Sequence, residues 1–223
     1  MNSNRILSQP VRNTTPPDKR RGRGVQSNRM TRIFLTLASL SLGLFVATVV
    51  LGLSIGDLYH HPTEATLRWR GVHMLAGVAA ALAVVFVHSI VITYFVGTSR
   101  WCKEVTETYR LDPVLAVESA RLKRRTFPWS VLGMLTVVVV GALGAASDPG
   151  TGRPDTASMA STHLAAALAG LAVVGWTYFR VWLHIVANQA VIQRVVDSVR
   201  EVRQERGLDA EPAPEAADLA AAP

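Results

Sequence analysis

The chain is poor in cysteine, in charge and in the short motifs that mark many enzymes. Its one cysteine, Cys102, excludes an internal disulfide framework and a cysteine-based zinc site made by this chain alone. Only 17% of the 223 residues are charged, whereas about 25% is typical of a soluble domain. No HExxH, GxSxG or glycine-rich phosphate-binding sequence is present. These absences argue against an enzyme and against a metal site, and they leave no candidate catalytic residue.

What the chain has instead is long apolar runs. No Asp, Glu, Lys or Arg occurs in residues 33–56, 71–99, 126–147 and 156–179. A helix needs about 20 apolar residues to cross the hydrocarbon core of a bilayer, and a helix satisfies its own backbone there. We therefore expect an all-α fold, namely a polytopic membrane protein with a bundle of four transmembrane helices. The predicted spans are residues 33–56, 70–96, 127–147 and 160–184.

Basic residues lie almost entirely on one side of these spans. The segments 1–32, 96–127 and 188–223 hold eight, seven and four Lys or Arg, whereas the other two connecting segments together hold three. Such an excess is typical of cytoplasmic segments. We therefore expect a multi-pass protein of the plasma membrane, with the short loops of a bacterial inner-membrane protein and with both termini in the cytoplasm. The net charge of +7 then needs no nucleic-acid partner, and the lipid bilayer is the expected partner.

The two terminal segments have the composition of disordered tails. Residues 1–30 are basic and polar and lack apolar periodicity. Residues 207–223 are acidic and of low complexity. The four-helix domain is accordingly assigned to residues 31–206.

Helical patterns continue beyond two of the spans on the predicted cytoplasmic side. Residues 100–125 form one such segment, in which Asp112 and Pro113 match a helix start. Residues 185–206 extend span four as far as Gly207, a typical stop. Apolar residues recur there at helical spacing, which indicates a face packed on the extension of span two or on a partner protein. This stripe consists of Ile192, Val195, Val199 and Val202.

Small residues recur at intervals of four along the spans. Gly52-x-x-x-Gly56 lies in span one and Gly77-x-x-x-Ala81 in span two. In membranes, small residues allow helices to approach closely. The pattern fits packing inside one four-helix bundle, and it also fits a homodimer.

Histidines are the remaining candidates for chemistry inside the spans. Helical geometry places His73 of span two and His163 of span four at similar depths, about 12–15 Å to the outer side of the span centres. Two histidines on neighbouring membrane helices can hold a haem iron between them. His88 and His184 differ too much in depth to act together, so we expect at most one haem b, bound by His73 and His163. This placement is similar to the four-helix core of cytochrome b proteins.

Ordinary structural roles compete with the haem interpretation. His73 and His163 lie near the outer interface, where placing a polar side chain costs little free energy. His88 lies deep in the hydrocarbon region, so it must face the bundle and find a hydroxyl or a backbone carbonyl.

Three functions follow from these patterns. We expect a non-catalytic accessory or scaffold subunit of a membrane complex, whose cytoplasmic helices dock a membrane or cytoplasmic protein partner. The rival is a b-type haem-binding electron-transfer protein. A small transporter is a second alternative, and the absence of carboxylates inside the spans weighs against it.

Overall fold

The computed structural model describes residues 23–208, with side chains from residue 29 onward. Over this range the chain forms four long α-helices and no strand, which confirms the all-α fold. The helices are α1 (Arg23–Ser54), α2 (Glu64–Tyr109), α3 (Val114–Ser147) and α4 (Thr156–Glu205), and a short 3-10 helix, Pro149–Thr151, precedes α4. Most of the two predicted tails, residues 1–22 and 209–223, lies outside the described residues.

Each of the four helices is long and apolar enough to cross a membrane. The shortest, α1, has 32 residues and is therefore about 48 Å long at 1.5 Å per residue. Large apolar side chains also point away from the bundle: Leu75 is 74% exposed, Leu40 66% and Leu82 64%. Soluble proteins rarely leave large apolar patches in water. Length, hydropathy and surface are thus all consistent with a multi-pass membrane protein.

The helices pack as a bundle in which each contacts its neighbour in the chain and α4 closes against α1. Consequently α2 and α4 face each other diagonally. Buried side chains on α4 recur every three or four residues from Ala167 to Val195, and those on α2 recur likewise from Ala80 to Thr106. This spacing keeps one face of each helix turned to the core along its whole length.

Three helices continue past their apolar runs at the same end of the bundle. We call this the inner end, after the orientation predicted from the basic residues, and the opposite end the outer end. After Tyr109, Arg110 adopts a left-handed conformation (φ 56°) and ends α2. The Asp112 carboxylate accepts a hydrogen bond from the Val114 amide at 2.9 Å, and α3 then runs through Pro128 without a break. The predicted segment 100–125 is therefore divided at the helix start expected at Asp112 and Pro113, its first part belonging to α2 and its last part to α3.

The extension of α4 packs on its own chain. Val195 is fully buried in a small cluster with Cys102 of α2 and Leu115 of α3, and Ile192 packs against this cluster. Val199 and Val202 are half-buried. The apolar stripe therefore contacts both α2 and α3, and its centre at Val195 is not available to another protein.

The start of α1 differs from the sequence analysis, whereas the end of α4 agrees with it. Residues 23–30, which composition assigned to the basic tail, are helical and belong to α1. At the other end α4 stops at Glu205, and Gly207 has a φ of +65°. Glycine adopts this left-handed conformation without steric cost, so Gly207 ends the helix as predicted.

The packing of α4 against α3 predicts the effect of two alanine substitutions. A Cβ at the buried Gly170 would lie 2.7 Å from Cγ2 of Val140, whereas nothing lies within 4 Å of a Cβ at Gly175. We expect Gly170→Ala to lower the free energy of unfolding by about 1–3 kcal/mol through overpacking. Gly175→Ala should leave it unchanged or raise it, because alanine favours the helix. Thermal unfolding in detergent measures both, and equal stability of the two variants would contradict the packing described.

Candidate functional site

Two histidines from the diagonal helices meet inside the bundle. His73 of α2 and His163 of α4 have ring centroids 6.2 Å apart, and their planes are inclined at 75°. Both side chains are half-buried. The bundle therefore brings together the two residues that the sequence analysis paired by depth.

A glycine backs each of these rings. A Cβ at Gly52 of α1 would lie 2.8 Å from Cε1 of His73, and a Cβ at Gly144 of α3 would lie 3.0 Å from Cε1 of His163. Any larger residue at either position would push the imidazole away. The Gly52-x-x-x-Gly56 motif thus makes room for a side chain at its first glycine. The two flanking helices hold the histidine pair between them.

A backbone carbonyl of α1 orients His73. Nδ1 of His73 lies 3.0 Å from the carbonyl oxygen of Thr48, one turn before Gly52. Nδ1 of His163 is buried without a hydrogen-bond partner, so the two histidines differ at this nitrogen. A donor at Nδ1 leaves the Nε2 lone pair of His73 free for a ligand.

Fewer side chains are fully buried near this pair than deeper in the bundle. The buried apolar core begins at Ala80 on α2 and at Ala167 on α4 and continues toward the inner end. Between these positions and the outer loops, the described residues include no fully buried hydrophobic side chain, although Val49 and Val140 pack there while partly buried. The histidine pair thus lies beyond the fully buried part of the core.

Polar contacts organise the outer end above the pair. Arg70, one turn before His73, forms an ion pair with Asp148 at 3.3 Å. The Tyr59 hydroxyl donates to the Ser147 carbonyl at 2.8 Å. In the same loop the backbone amides of His60 and Tyr59 donate to Asp57 and lower the pKa of that carboxyl to about 2. The loops are therefore tied to α3, and Arg70 brings a cation close to the histidine pair.

His88 has a different environment. It is fully buried, and its Nε2 lies 3.3 Å from the Thr177 hydroxyl of α4. Its ring lies against Tyr178, with centroids 4.9 Å apart, and the Tyr178 hydroxyl is 2.9 Å from that of Ser41. A Cβ at Gly133 of α3 would lie 2.1 Å from His88 Nε2. The His88 side chain therefore fills the bundle at this level and leaves no space for a bulky ligand.

The other histidine of α4 pairs elsewhere. Nδ1 of His184 lies 3.0 Å from the Thr126 hydroxyl of α3. His88 and His184 therefore contact different partners and not each other. Among the histidines of the described residues, the ring contact between His73 and His163 is the one that joins two imidazoles.

A buried polar network at the inner end escaped the sequence analysis. Asn188 is fully buried, and its amide donates to Thr98 at 3.0 Å and to Tyr94 at 3.3 Å, both on α2. The Ser119 hydroxyl of α3 donates to the side-chain carbonyl oxygen of Asn188 at 3.2 Å. The sequence signal that could have revealed this network is an asparagine at position 188, where the three-to-four-residue spacing of buried side chains along α4 predicts a core position. Because its four hydrogen-bonding sites need partners when buried, Asn188 helps to set the register of three helices.

Comparison of the chain with protein-family models, with curated proteins and with solved structures finds no match.

The contact between His88 and Thr177 predicts a difference between two isosteric substitutions. Thr177→Val removes the hydroxyl that faces His88, and an unpaired buried polar group costs about 1–3 kcal/mol. Thr136→Val is the control, because that hydroxyl bonds only the Leu132 carbonyl of its own helix. We expect only the first variant to lose stability in thermal unfolding. Equal losses would show that the interhelical contact contributes nothing.

Proposed function

We propose that the protein binds one b-type haem between His73 and His163 and acts as a membrane electron-transfer protein. The observation that carries this proposal is the meeting of two imidazoles from diagonal helices, each backed by a glycine of a flanking helix.

The separation of the two rings is short enough for both imidazoles to share one ligand. Their centroids are 6.2 Å apart and their planes are inclined at 75°. Edge-to-face aromatic contacts have the same range of separations, about 4.5–7 Å. The distance therefore permits a shared iron, and the spectrum described below decides between the two.

The number of ligands favours haem over a bare metal ion. Across residues 29–208 no group of three or more His, Cys, Asp or Glu side chains could hold a metal ion. Protein zinc sites use three or four such ligands. A porphyrin supplies four nitrogens to its iron and needs only two axial side chains, so a histidine pair is sufficient.

The surroundings of the pair also fit this cofactor. Thr48 holds Nδ1 of His73 and orients its ring, as carbonyl partners do for metal-ligating histidines. When bound, haem supplies reversible one-electron chemistry.

The number and depth of the histidines limit the electron path. His88 is packed against Gly133 and faces Thr177, not a second histidine, so the inner half supports no second haem. A single haem in the outer half is suited to exchanging electrons with a partner at that surface. It is not suited to carrying them across the bilayer alone.

An accessory or scaffold subunit is the second candidate, and one observation favours it. Val114 and Val117 of α3 lie beyond the apolar run and are 57% and 54% exposed. They form an apolar surface at the extended end of the bundle, whereas Val195 of the predicted docking stripe is covered by its own chain. Among residues 23–208 no contact favours the small-transporter alternative.

The spectrum of the purified protein tests the haem proposal. Protein from haem-replete cells should show a b-type α-band in the reduced-minus-oxidised spectrum, with about one haem per chain as two axial ligands imply. His73→Ala and His163→Ala should abolish it, since each removes a ligand. His184→Gln is the matched control on α4 and should keep the band. A wild-type protein without the band would overturn the proposal and leave the accessory role.

The glycines provide a test that leaves both ligands in place. Gly52→Leu and Gly144→Leu should weaken haem retention about tenfold or more, because the added side chain displaces the adjacent imidazole. Gly43→Leu and Gly141→Leu are the controls on the same two helices, since nothing lies within 4 Å of a Cβ there. Haem titration of the purified apoproteins measures the effect. Retention that is equal in all four variants would contradict the proposed geometry.

A further inference from the structure

An apolar groove lies between α2 and α3, away from the histidine pair. Its volume is about 340 Å³. Phe95 is buried at its base, and Val96 and Phe127 are half exposed along its sides. Lys123 and Arg124 line it as well. The groove thus combines hydrocarbon walls with two cations.

These two cations lack protein counterions. Within residues 29–208 no ion pair involves Lys123 or Arg124, whereas Arg100, Lys103, Arg194 and Arg200 at the same end each pair with a carboxylate. Arg110, Arg121, Arg125 and Arg206 likewise form no ion pair in this range, and what distinguishes Lys123 and Arg124 is that they line the groove. An unneutralised pair of cations beside an apolar surface attracts an anion that carries hydrocarbon. Arginine in particular binds a phosphate through two parallel hydrogen bonds.

The groove lies at a boundary in the sequence as well as in space. The charge-free run of α2 ends at residue 99, and that of α3 begins at residue 126. Lys123 and Arg124 come just before the second run, so in a bilayer they would lie at headgroup level. Basic pockets between transmembrane helices on the cytoplasmic side bind anionic headgroups. The hydrocarbon walls then lie at the depth of the acyl chains.

The charge of the groove decides which phospholipid fits it. Phosphatidylglycerol carries one anionic phosphate and no cationic group in its headgroup, whereas phosphatidylcholine carries a cation beside its phosphate. Two cations without carboxylate partners therefore favour the phosphatidylglycerol type.

We infer that this groove is a binding site for one anionic phospholipid of the phosphatidylglycerol type. Lys123 and Arg124 hold its phosphate, and one acyl chain lies along Ile92, Phe95 and Phe127. The site is independent of the histidine pair, and it holds whether or not the protein binds haem.

The test compares full-length proteins reconstituted in nanodiscs of phosphatidylcholine with about 20% phosphatidylglycerol, so that anionic headgroups are present but in the minority. Lipid that remains bound after detergent extraction is counted by native mass spectrometry. Lys123→Gln with Arg124→Gln should lower the retained phosphatidylglycerol about tenfold, the effect of losing a charge-assisted contact pair. Arg121→Gln with Arg125→Gln removes the same charge from α3 outside the groove and should retain the lipid. If both double variants lose the same amount of phosphatidylglycerol, general charge attraction accounts for the binding and the proposed site is wrong.

A second measurement uses the wild-type protein and does not depend on variant folding. Acetylation of Lys123 should be slowed several-fold in discs that contain phosphatidylglycerol, compared with discs of phosphatidylcholine alone. Lys103 is the internal control, because it lies at the same end, is exposed and pairs with Glu107. Protection of Lys123 that is equal in both discs, or equal protection of both lysines, would contradict a specific anionic site.

Discussion

The register between α2 and α4 is the constraint on which the other features depend. Val84 and Val91 of α2, and Val174 and Val181 of α4, are fully buried at heptad spacing and belong to one apolar cluster. A slip of either helix by one residue would turn these side chains out of the core. With the register set, His73 and His163 meet at one end. At the other end Asn188 reaches Thr98.

Glycines decide where the bundle can accept an imidazole. Gly52, Gly133 and Gly144 each have a histidine ring where their Cβ would be. The surroundings of His73 and His88 differ because each ring meets a different residue of the diagonal helix α4. His73 faces a second histidine beyond the fully buried part of the core, whereas His88 faces Thr177 and Tyr178. One level therefore has the donors for a shared ligand, and the other is closed by packing and hydrogen bonds.

The two ends of the molecule are suited to different tasks. The outer end has the histidine pair, the Arg70–Asp148 ion pair and the loop contact from Tyr59 to Ser147. The inner end has three extended helices with their own small core around Val195, and the basic groove between α2 and α3. The proposed haem site at one end and the proposed lipid site at the other are compatible with one protein that serves a larger membrane complex.

The sequence alone determined the four helices, their approximate spans and the depth match of His73 and His163, because charge-free runs and the rise per residue are local properties. It also located the end of α4 at Gly207. Tertiary structure decided that α3 continues through Pro128, that Val195 is covered by α2 and α3, and that Gly52 and Gly144 back the histidines. These outcomes depend on which helices are adjacent and on their rotation. Both are set by packing between residues far apart in the chain, which local periodicity does not contain.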